Sequence, residues 1–348
     1  FNIFIVKLIS FADAGSDFLF TSFIAEVGYD QALINFAFRA LPVIIFFSSL
    51  IAATYHLGII QIIIKNIAKV MEKTMKTSGA ETLSISANIF VGQTEAPILI
   101  RPYISKMTNS ELMTVMVGGF STVAGSVMAL YVTWLNNIPE IAGHLLAASV
   151  MSAPAALMVA KIIYPETKSY QIINSNNIKL KSQDNNLVDA IGRGATDGLK
   201  LAANVAAMLI AFISLVAMIN FILSLLGTSM QEMLGLLFKP LAWTMGIPWA
   251  DAKIVGTLMG EKIVLTELIA FRDLSDYVSN NTISERSVII ASYALCGFAN
   301  FGSIGIQLGG IGSMAPKRKK DLSKLVIKAM LGGAIASWLT ASIVGILI

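Results

Sequence analysis

The sequence predicts an all-α polytopic membrane protein, and two observations support that fold class. Of the 348 residues, 55% are hydrophobic and only 13% are charged, which is too apolar for an ordinary soluble domain. Six stretches without Asp, Glu, Lys or Arg are each long enough for a helix to cross a hydrocarbon core of about 30 Å. They are Ala40–Ile64, Leu112–Asn137, Ile141–Ala160, Leu201–Gln231, Ser287–Pro316 and Ala329–Ile348.

Helices are predicted for these spans because lipid offers no hydrogen bonds to the main chain, and because the runs lack the alternation of outer-membrane strands. The single Cys296 excludes an internal disulfide and a cysteine-based metal cluster. His56 and His144 are far apart and outside any metal-binding spacing. The net charge of +4 does not indicate nucleic acid as a partner, because the lysines cluster in loops between spans.

Two shorter apolar segments are interrupted by charged residues, and the distribution of basic residues predicts their course. They are Thr82–Ile100, which contains Glu95, and Ile254–Phe271, which contains Glu267. If both fold back as re-entrant hairpins, the Lys and Arg residues of the loops divide 18 against 4 between the two sides, whereas they divide 12 against 10 if both span. Because positive residues accumulate on the cytoplasmic side, we predict two hairpins, the first opening to the cytoplasm and the second to the outside.

A broken helix is predicted after each hairpin. Small, polar, glycine-containing stretches interrupt the following spans at Ser121–Ser126 and Phe298–Ser303. Hairpin and broken helix thus occur twice, and the charge distribution places the two copies in opposite orientations. Inverted repeats with two discontinuous transmembrane helices are the architecture of secondary transporters, which bind substrate and ion between the repeats.

The polar residues at these breaks predict the chemistry of the solute. A charge near the bilayer centre costs about 2.5–3.5 kcal/mol, so Glu95 and Glu267 need partners or a wet cavity. Carboxylate, amide and hydroxyl groups suit a neutral polyhydroxylated or amide-bearing solute, although uncharged polar side chains also join helices in membranes. Main-chain carbonyls freed at the breaks can coordinate sodium together with Asn88 and Thr122, and spacing alone leaves that ion site open.

Four motifs resemble the concentrative nucleoside transporter family. They are NIFVGQTEAP, GSVMA, NVAAMLIAF and YALCGFANFGSIGIQLGGIG, and the resemblance runs from AGSDFLF near Asp13 to the last span. It implies a secondary active symporter that imports uridine-like nucleosides across the bacterial cytoplasmic membrane by alternating access, driven by sodium and without another cofactor. The resemblance also implies a homotrimer in the lipid bilayer, each protomer with a scaffold and a transport domain.

The same resemblance divides the chain and assigns site residues. Residues 1–64 and 201–231 fall to the scaffold, and residues 65–200 and 232–348 to the two halves of the transport domain. The positions expected to face the nucleobase are Gly92, Gln93, Thr94, Glu95 and Val127; those expected to hold the ribose are Glu267, Asn300 and Ser303, with Phe298 as an apolar neighbour. The sodium ligands are expected at Asn88, Val91, Thr122 and Val123.

Some features depart from the family pattern. Thr266 and Leu268 stand where many members have Asn and Phe, which puts the packing of the second hairpin tip in question. The family's usual helices before the outer amphipathic segment are absent, and we expect them to be missing from this sequence. Proton-coupled members resemble the chain less around Asn88, which favours sodium, with a proton-coupled symporter as the alternative. A membrane enzyme using Glu95 and Glu267 as an acid/base pair, or a channel for a neutral polar solute, is the less favoured alternative.

Overall fold

The computed structural model describes residues 2–5, 7, 41–167, 178 and 184–348, and this part of the chain is helical without strands. The helices are α1 (Leu41–His56), α2 (Ile59–Met75), α3 (Gly79–Asn88), α4 (Glu95–Ile98), α5 (Arg101–Ile104), α6 (Asn109–Ser121), α7 (Gly125–Trp134), α8 (Ile141–Ile163), α9 (Leu187–Ser224), α10 (Met230–Thr244), α11 (Ala252–Val264), α12 (Glu267–Ser279), α13 (Glu285–Leu295), α14 (Phe301–Met314) and α15 (Lys319–Leu347). The predicted all-α class is confirmed. The outer amphipathic segment and the AGSDFLF motif lie outside the described residues.

The two interrupted segments are pairs of helical arms that extend beyond their predicted limits. In the first, α3 forms one arm and α4 with α5 forms the other, and a non-helical turn at residues 89–94 separates the arms. The second consists of α11 and α12 with a break at residues 265–266. The extra turn at the start of α3 follows from a capping box, in which Ser78 N–H donates to Glu81 Oε1 at 3.0 Å and the Ser78 side chain accepts from Glu81 N–H. The re-entrant course of both pairs through a bilayer stays a prediction.

Two further helices are broken close to the predicted positions. The first break separates α6 from α7 at residues 122–124, and the second separates α13 from α14 at residues 296–300. The second break begins two residues before the predicted Phe298–Ser303, because α13 ends at Leu295 and Gly297 adopts a left-handed φ of +94°. α14 then starts after the N-cap residue Asn300.

Several predicted spans differ from the observed helices at their ends. The run Ala40–Ile64 is not one helix, because α1 ends at His56 and the chain turns at Gly58, whose φ is +84°. α9 begins at Leu187 and ends at Ser224, so it starts 14 residues before the predicted Leu201–Gln231. Among the described residues, three stretches are long and apolar enough to cross a bilayer: Asn109–Trp134, Ile141–Ile163 and Pro316–Leu347. The chain is a multi-pass membrane protein.

The chain forms two compact units. The first comprises Phe1–Ile60, Gly125–Gly143 and Lys181–Met218, and the second comprises Gln61–Ala124, His144–Leu180 and Ile219–Ile348. The first unit takes in residues 125–143, which the sequence-based division puts with 65–200. The assignment of scaffold and transport roles to parts of the chain stays a prediction.

Small residues allow close helix packing in both units. In the first unit, Gly194 of α9 approaches α1 so closely that a Cβ atom would lie 2.7 Å from Ser49 Cα. In the second unit, a Cβ at Gly256 of α11 would lie 2.8 Å from the main-chain nitrogen of Lys239 in α10. Close main-chain approach through glycine is typical of helices that associate in membranes.

Candidate functional site

The turn between α3 and α4 packs against one face of α14. Gln93 in this turn is 7% exposed, and its Nε2 donates a hydrogen bond to Ser303 Oγ at 3.2 Å. Thr94 lies against Gly310, where a Cβ atom would come within 2.8 Å of the Thr94 methyl carbon. Gln307 lies between these contacts and donates to Gln93 Oε1 at 3.2 Å. α14 therefore presents positions 303, 307 and 310 on one face, since residues three and four apart share a face of a helix.

Asn300 joins the second broken helix to the second helix pair. Its Oδ1 accepts the Ser303 N–H at 2.8 Å, which caps the N-terminus of α14. Its Nδ2 donates to Glu267 Oε2 at 2.6 Å, and Glu267 is only 3% exposed. A charge-assisted hydrogen bond thus partners the buried carboxylate. Together with Gln93, these side chains form a connected row of donors and acceptors.

The second break touches the end of α6 at Gly297. A Cβ atom there would lie 2.6 Å from the Phe120 carbonyl oxygen and 2.7 Å from that of Ser121, at the end of α6. Only glycine tolerates both this approach and the left-handed φ. Gly333 of α15 also packs against Phe120. The end of α6 and the second break therefore belong to one region of the second unit.

A buried lysine holds the second break, and the sequence analysis gave it no role. Lys262 is 0% exposed, and its Nζ donates to the carbonyls of Ala294 at 2.9 Å and Cys296 at 2.7 Å. Ser337 Oγ donates to the same Cys296 carbonyl at 2.6 Å. The last carbonyls of a helix lack main-chain partners, and a cation stabilises that end. The sequence feature that could have indicated this role is a lysine inside an apolar, glycine-containing segment, because such a lysine requires a buried partner.

The other residues expected around the base differ in accessibility. Glu95 is exposed, and its carboxylate folds back over Gly92. Phe298 is half-buried within the second break. Val127 is 3% exposed and belongs to α7 in the first unit, whereas the Gln93 row lies in the second.

The predicted sodium ligands include an unsatisfied amide. Asn88 is 1% exposed, and neither its Oδ1 nor its Nδ2 has a hydrogen-bond partner. Buried polar groups ordinarily have partners, so an amide of this kind fits a role in binding a ligand. α3 and α6 approach at Ile85 and Gly118, where a Cβ on the glycine would lie 2.6 Å from Ile85 Cγ1. Asn88 and Thr122 each follow this contact by about one helical turn.

Oxygen donors of suitable types are present for sodium in this region. Thr122 is 2% exposed, and its hydroxyl donates to the Gly118 carbonyl at 3.1 Å, which leaves oxygen lone pairs available. Val91 and Val123 lie in the non-helical stretches after α3 and α6, where main-chain carbonyls are not used by a helix. An amide oxygen, a hydroxyl and freed carbonyls are the donors that coordinate sodium at helix breaks, so these residues fit the ion.

The departures at the second tip are accommodated in the structure. Thr266 is the N-cap of α12, and its hydroxyl accepts the Ile269 N–H at 3.4 Å. Leu268 is 5% exposed. The Thr-Glu-Leu sequence therefore starts a capped helix and buries its apolar residue.

A cavity of about 340 Å³ lies elsewhere, at the start of α6. Its lining includes Thr108, which donates to Glu166 Oε2 at 2.5 Å, and Arg318, which donates to Asn109 Oδ1 at 2.7 Å. No predicted site residue lines it. The candidate site is thus the polar row between the first turn and the second break.

Comparison with known protein families identifies the chain. Residues 144–345 match the model described as the Na⁺-dependent nucleoside transporter C-terminus, and residues 37–137 match a model described as nucleoside recognition, or Gate. The chain belongs to the concentrative, sodium-dependent nucleoside transporter family. The resemblance given by the four sequence motifs is confirmed.

Individual members of the nucleoside transporter family cover nearly all of the chain. Sodium/nucleoside cotransporter 1 of Rattus norvegicus is 43% identical over 363 residues, which cover 97% of this chain and 54% of the rat protein. The uncharacterized transporter YutK of Bacillus subtilis (strain 168) is 43% identical over 350 residues, covering 98% of this chain and 84% of YutK. The chain thus spans about half the length of the mammalian nucleoside transporters it matches.

Solved structures of a nucleoside transporter share the fold. CNTnw in an inward-facing substrate-bound state matches with a TM-score of 0.89 and 41% identity, over 99% of this chain and 83% of CNTnw. A CNTnw variant, with the substitutions N149S and F366A in its own numbering, was solved in an outward-facing state. It matches with a TM-score of 0.90 and 41% identity, over 99% of this chain and 84% of CNTnw. These relatives are transporters and not enzymes.

Proposed function

We propose that this protein is a sodium-driven symporter that imports uridine-like nucleosides across the bacterial cytoplasmic membrane. The observation that carries the proposal is the row of polar side chains from Glu267 through Asn300 and Ser303 to Gln93. It combines a carboxylate, two amides and a hydroxyl, with distances of 2.6–3.2 Å between neighbours. Such groups can bind the hydroxyls of a ribose at one end and the polar edge of a base at the other.

The nucleoside lies along this row. Glu267, Asn300 and Ser303 hold the ribose hydroxyls, because a buried carboxylate is a strong acceptor for hydroxyl donors. The base faces the first turn, and the residues involved there are Gly92, Gln93, Thr94 and Glu95. Val127, near the start of α7, is the remaining position that the family resemblance assigns to the base. Phe298 supplies an apolar surface within the second break.

Sodium is held by Asn88, Thr122 and the carbonyls of Val91 and Val123. The ion supplies a positive charge that satisfies the buried Asn88 amide oxygen. Asn88 precedes the turn, Val91 lies within it, and Thr122 and Val123 lie in the first break, so their ordering prepares Gln93 and Thr94 for the base. An amide does not bind a proton near neutral pH, so the unsatisfied Asn88 supports sodium over a proton-coupled mechanism.

Transport follows an alternating-access cycle in a homotrimer. The two helix pairs act as re-entrant hairpins and move with their broken helices against a scaffold. Support comes from the CNTnw structures, which include inward-facing, outward-facing and intermediate states of the same fold. Ion and substrate must raise each other's affinity by one shared factor for the cycle to be coupled.

Uptake of labelled uridine into proteoliposomes tests the proposal. The full-length protein is given an inward sodium gradient, an inward proton gradient or neither, with Glu267→Gln in parallel. We expect uphill accumulation with sodium alone and its loss in the variant, because an amide oxygen is a weaker acceptor than a carboxylate. Accumulation driven by protons alone would refute the sodium mechanism, and chemically altered uridine in the vesicles would indicate an enzyme instead.

A further inference from the structure

Two carboxyl groups meet between α11 and α12. Glu261 of α11 is 1% exposed, and its carboxyl group makes a hydrogen-bonding contact with that of Asp273 in α12. Two carboxylates have no hydrogen to share, and among the described residues Glu261 Oε2 accordingly has no hydrogen-bond partner. A buried charged oxygen without a partner is costly, so the contact requires something that joins the two groups.

A neighbouring amide shows where that hydrogen must come from. The Gln231 side chain of α10 is hydrogen-bonded to the Glu261 carboxyl group. The amide is oriented from its other end, because Asn220 Oδ1 accepts the Met230 N–H at 2.8 Å and Asn220 Nδ2 donates to Gln231 Oε1 at 2.8 Å. A main-chain N–H cannot reverse, so Gln231 presents its Nε2 donor to Glu261. Glu261 therefore accepts from Gln231, and the hydrogen in the contact with Asp273 has to be a carboxyl proton.

Close packing of α10 on α11 encloses one side of the carboxyl pair. Thr257, one turn before Glu261, donates to the Gln231 carbonyl at 3.1 Å. A Cβ atom at Gly235 of α10 would lie only 2.5 Å from Thr257 Oγ1. Asp273 on the other side is half-buried. A proton can therefore reach the pair from α12 but not through the contact with α10.

The charged groups around the pair leave it without a buried cation in the described part of the chain. On α12, Arg272 and Asp276 are both exposed and act on Asp273 with opposite signs, and the half-buried Tyr277 lies near both carboxyls. The charged groups of the other helices packed here have partners elsewhere: Glu232 pairs with Lys253, Lys262 donates to two carbonyls of the second break, and Arg286 donates to the Gly246 carbonyl. A proton is then the means by which the two carboxyls avoid a double negative charge.

We propose that Glu261 and Asp273 bind one proton between them, and that this proton keeps α11 and α12 together for nucleoside binding. Two carboxyl groups in contact do not both ionise readily, so one stays protonated and donates to the other. The groups already touch, so a proton joins them and a larger ion does not. Loss of the proton to water leaves two carboxylates, whose repulsion separates α12 from α11.

The consequence for binding rests on the function proposed above, in which Glu267 holds the ribose. Glu267 is the first residue of α12, the helix that carries Asp273. A displacement of α12 therefore moves Glu267 away from Asn300, to which it is hydrogen-bonded at 2.6 Å. The form in which α11 and α12 stay together binds the proton more tightly, so acid favours it and rising pH disfavours it. The proton acts in addition to sodium and does not drive uptake.

Infrared spectroscopy of the purified full-length protein tests for the proton directly. A protonated carboxyl group has a C=O stretching band that is separate from the carboxylate bands and shifts in heavy water. The wild type should show such a band at neutral pH and lose it as the pH rises. Glu261→Gln and Asp273→Asn should each remove the band, because an amide donates to the remaining carboxylate without a proton. Asp276→Asn changes an exposed carboxylate one turn away and should keep it.

Uridine dissociation constants in sodium buffer, at pH values where uridine itself stays neutral, test the effect on binding. The wild-type Kd should rise with pH by roughly 5- to 150-fold, the usual size of a coupling between two sites. The Kd of Glu261→Gln and that of Asp273→Asn should not change with pH, because their contact between α11 and α12 does not depend on a proton. The control Asp276→Asn should follow the wild type.

The possible results separate the proton site from the proposed function. A band that is absent from the wild type, or that only one of the two variants loses, would overturn the shared proton. The same pH dependence of Kd in the wild type and in Glu261→Gln would overturn its role in binding. The wild-type spectrum depends neither on the folding of a variant nor on a nucleoside. A wild type that binds no nucleoside would therefore overturn the proposed function, while the spectrum still decides whether the proton is bound.

Discussion

Asn300→Asp separates the two roles of the side chain that links Glu267 to α14. An aspartate keeps the Oδ1 acceptor, so the N-cap of α14 survives. It removes the Nδ2 donor and places a second carboxyl group 2.6 Å from Glu267 Oε2. We expect the variant to lose stability as the pH rises and to keep most of it at acid pH.

The magnitude follows from the geometry. Two charges separated by the observed 2.6 Å repel by about 6 kcal/mol at an effective dielectric constant of about 20. One of the two carboxyls must therefore stay protonated in the folded variant. Because the folded state then binds a proton more tightly than the unfolded state, its stability is present at low pH and falls as pH rises. Asn300→Ala, which loses both the cap and the charge-assisted bond, should cost about 2.5–4 kcal/mol near neutral pH.

Thermal unfolding in detergent, followed by intrinsic fluorescence from about pH 5.5 to about pH 8.5, measures these differences. The wild type supplies the reference at each pH. The double variant Glu267→Gln with Asn300→Asp restores a donor opposite an acceptor, since the new glutamine can donate to the new aspartate. We expect its Tm to be less dependent on pH than that of Asn300→Asp.

Two results would refute this reasoning. If Asn300→Asp unfolded at the wild-type Tm across the whole pH range, the contact with Glu267 would not exist in the protein. A double variant no more stable at alkaline pH than Asn300→Asp alone would show that the loss has a cause other than repulsion between the two carboxyls.

Three further predictions concern the ion site, a buried ion pair and the contact between the second break and the end of α6. Asn88→Ala should abolish the sodium dependence of uridine binding, measured by replacing sodium with choline, because it removes the proposed ligand; unchanged dependence would place the ion elsewhere. Lys161→Met should lower the free energy of unfolding, measured with denaturant, by about 3–5 kcal/mol. Lys161 Nζ lies 2.7 Å from Glu81 Oε2, and the Glu81 side chain is 0% exposed, so the variant leaves a buried carboxylate without its cation. Adding Glu81→Gln should recover part of that loss, and strictly additive effects would contradict the pairing. Gly297→Ala should lower Tm strongly, because Gly297 has a φ of +94° and a Cβ atom there would lie 2.6 Å from the Phe120 carbonyl oxygen. Gly305→Ala should leave Tm nearly unchanged, because a Cβ atom at Gly305 meets nothing within 4 Å. Equal Tm values for the two variants would argue against the contact between Gly297 and Phe120.

Much of the architecture could be predicted from residue type and order, because the relevant signals are local. Charge-free runs indicate helices in a membrane, and the polar stretches at residues 121–126 and 298–303 lie at or overlap the observed breaks. Helix ends were predicted less well. α9 extends to Leu187 through turns that carry Asp189, Arg193 and Asp197, and hydropathy cannot detect a helix that continues among charged residues.

Contacts between distant parts of the chain could not be predicted in the same way. Gln307 reaches Gln93 across 214 positions, and Lys262 reaches Cys296 across 34. Neither sequence neighbourhood specifies a partner, because the partner is set by how α14, α6 and α11 pack. The sequence could show only that a buried amide and a buried ammonium needed satisfaction.

The most direct test of the account is the linkage between sodium and uridine binding. Equilibrium binding to the purified full-length protein gives the uridine Kd with sodium or choline, and the sodium affinity with or without uridine. The account predicts that sodium tightens uridine binding by roughly 5- to 150-fold and that uridine tightens sodium binding by the same factor. A uridine Kd that is identical in sodium and choline would contradict a coupled site formed by Asn88 and the polar row.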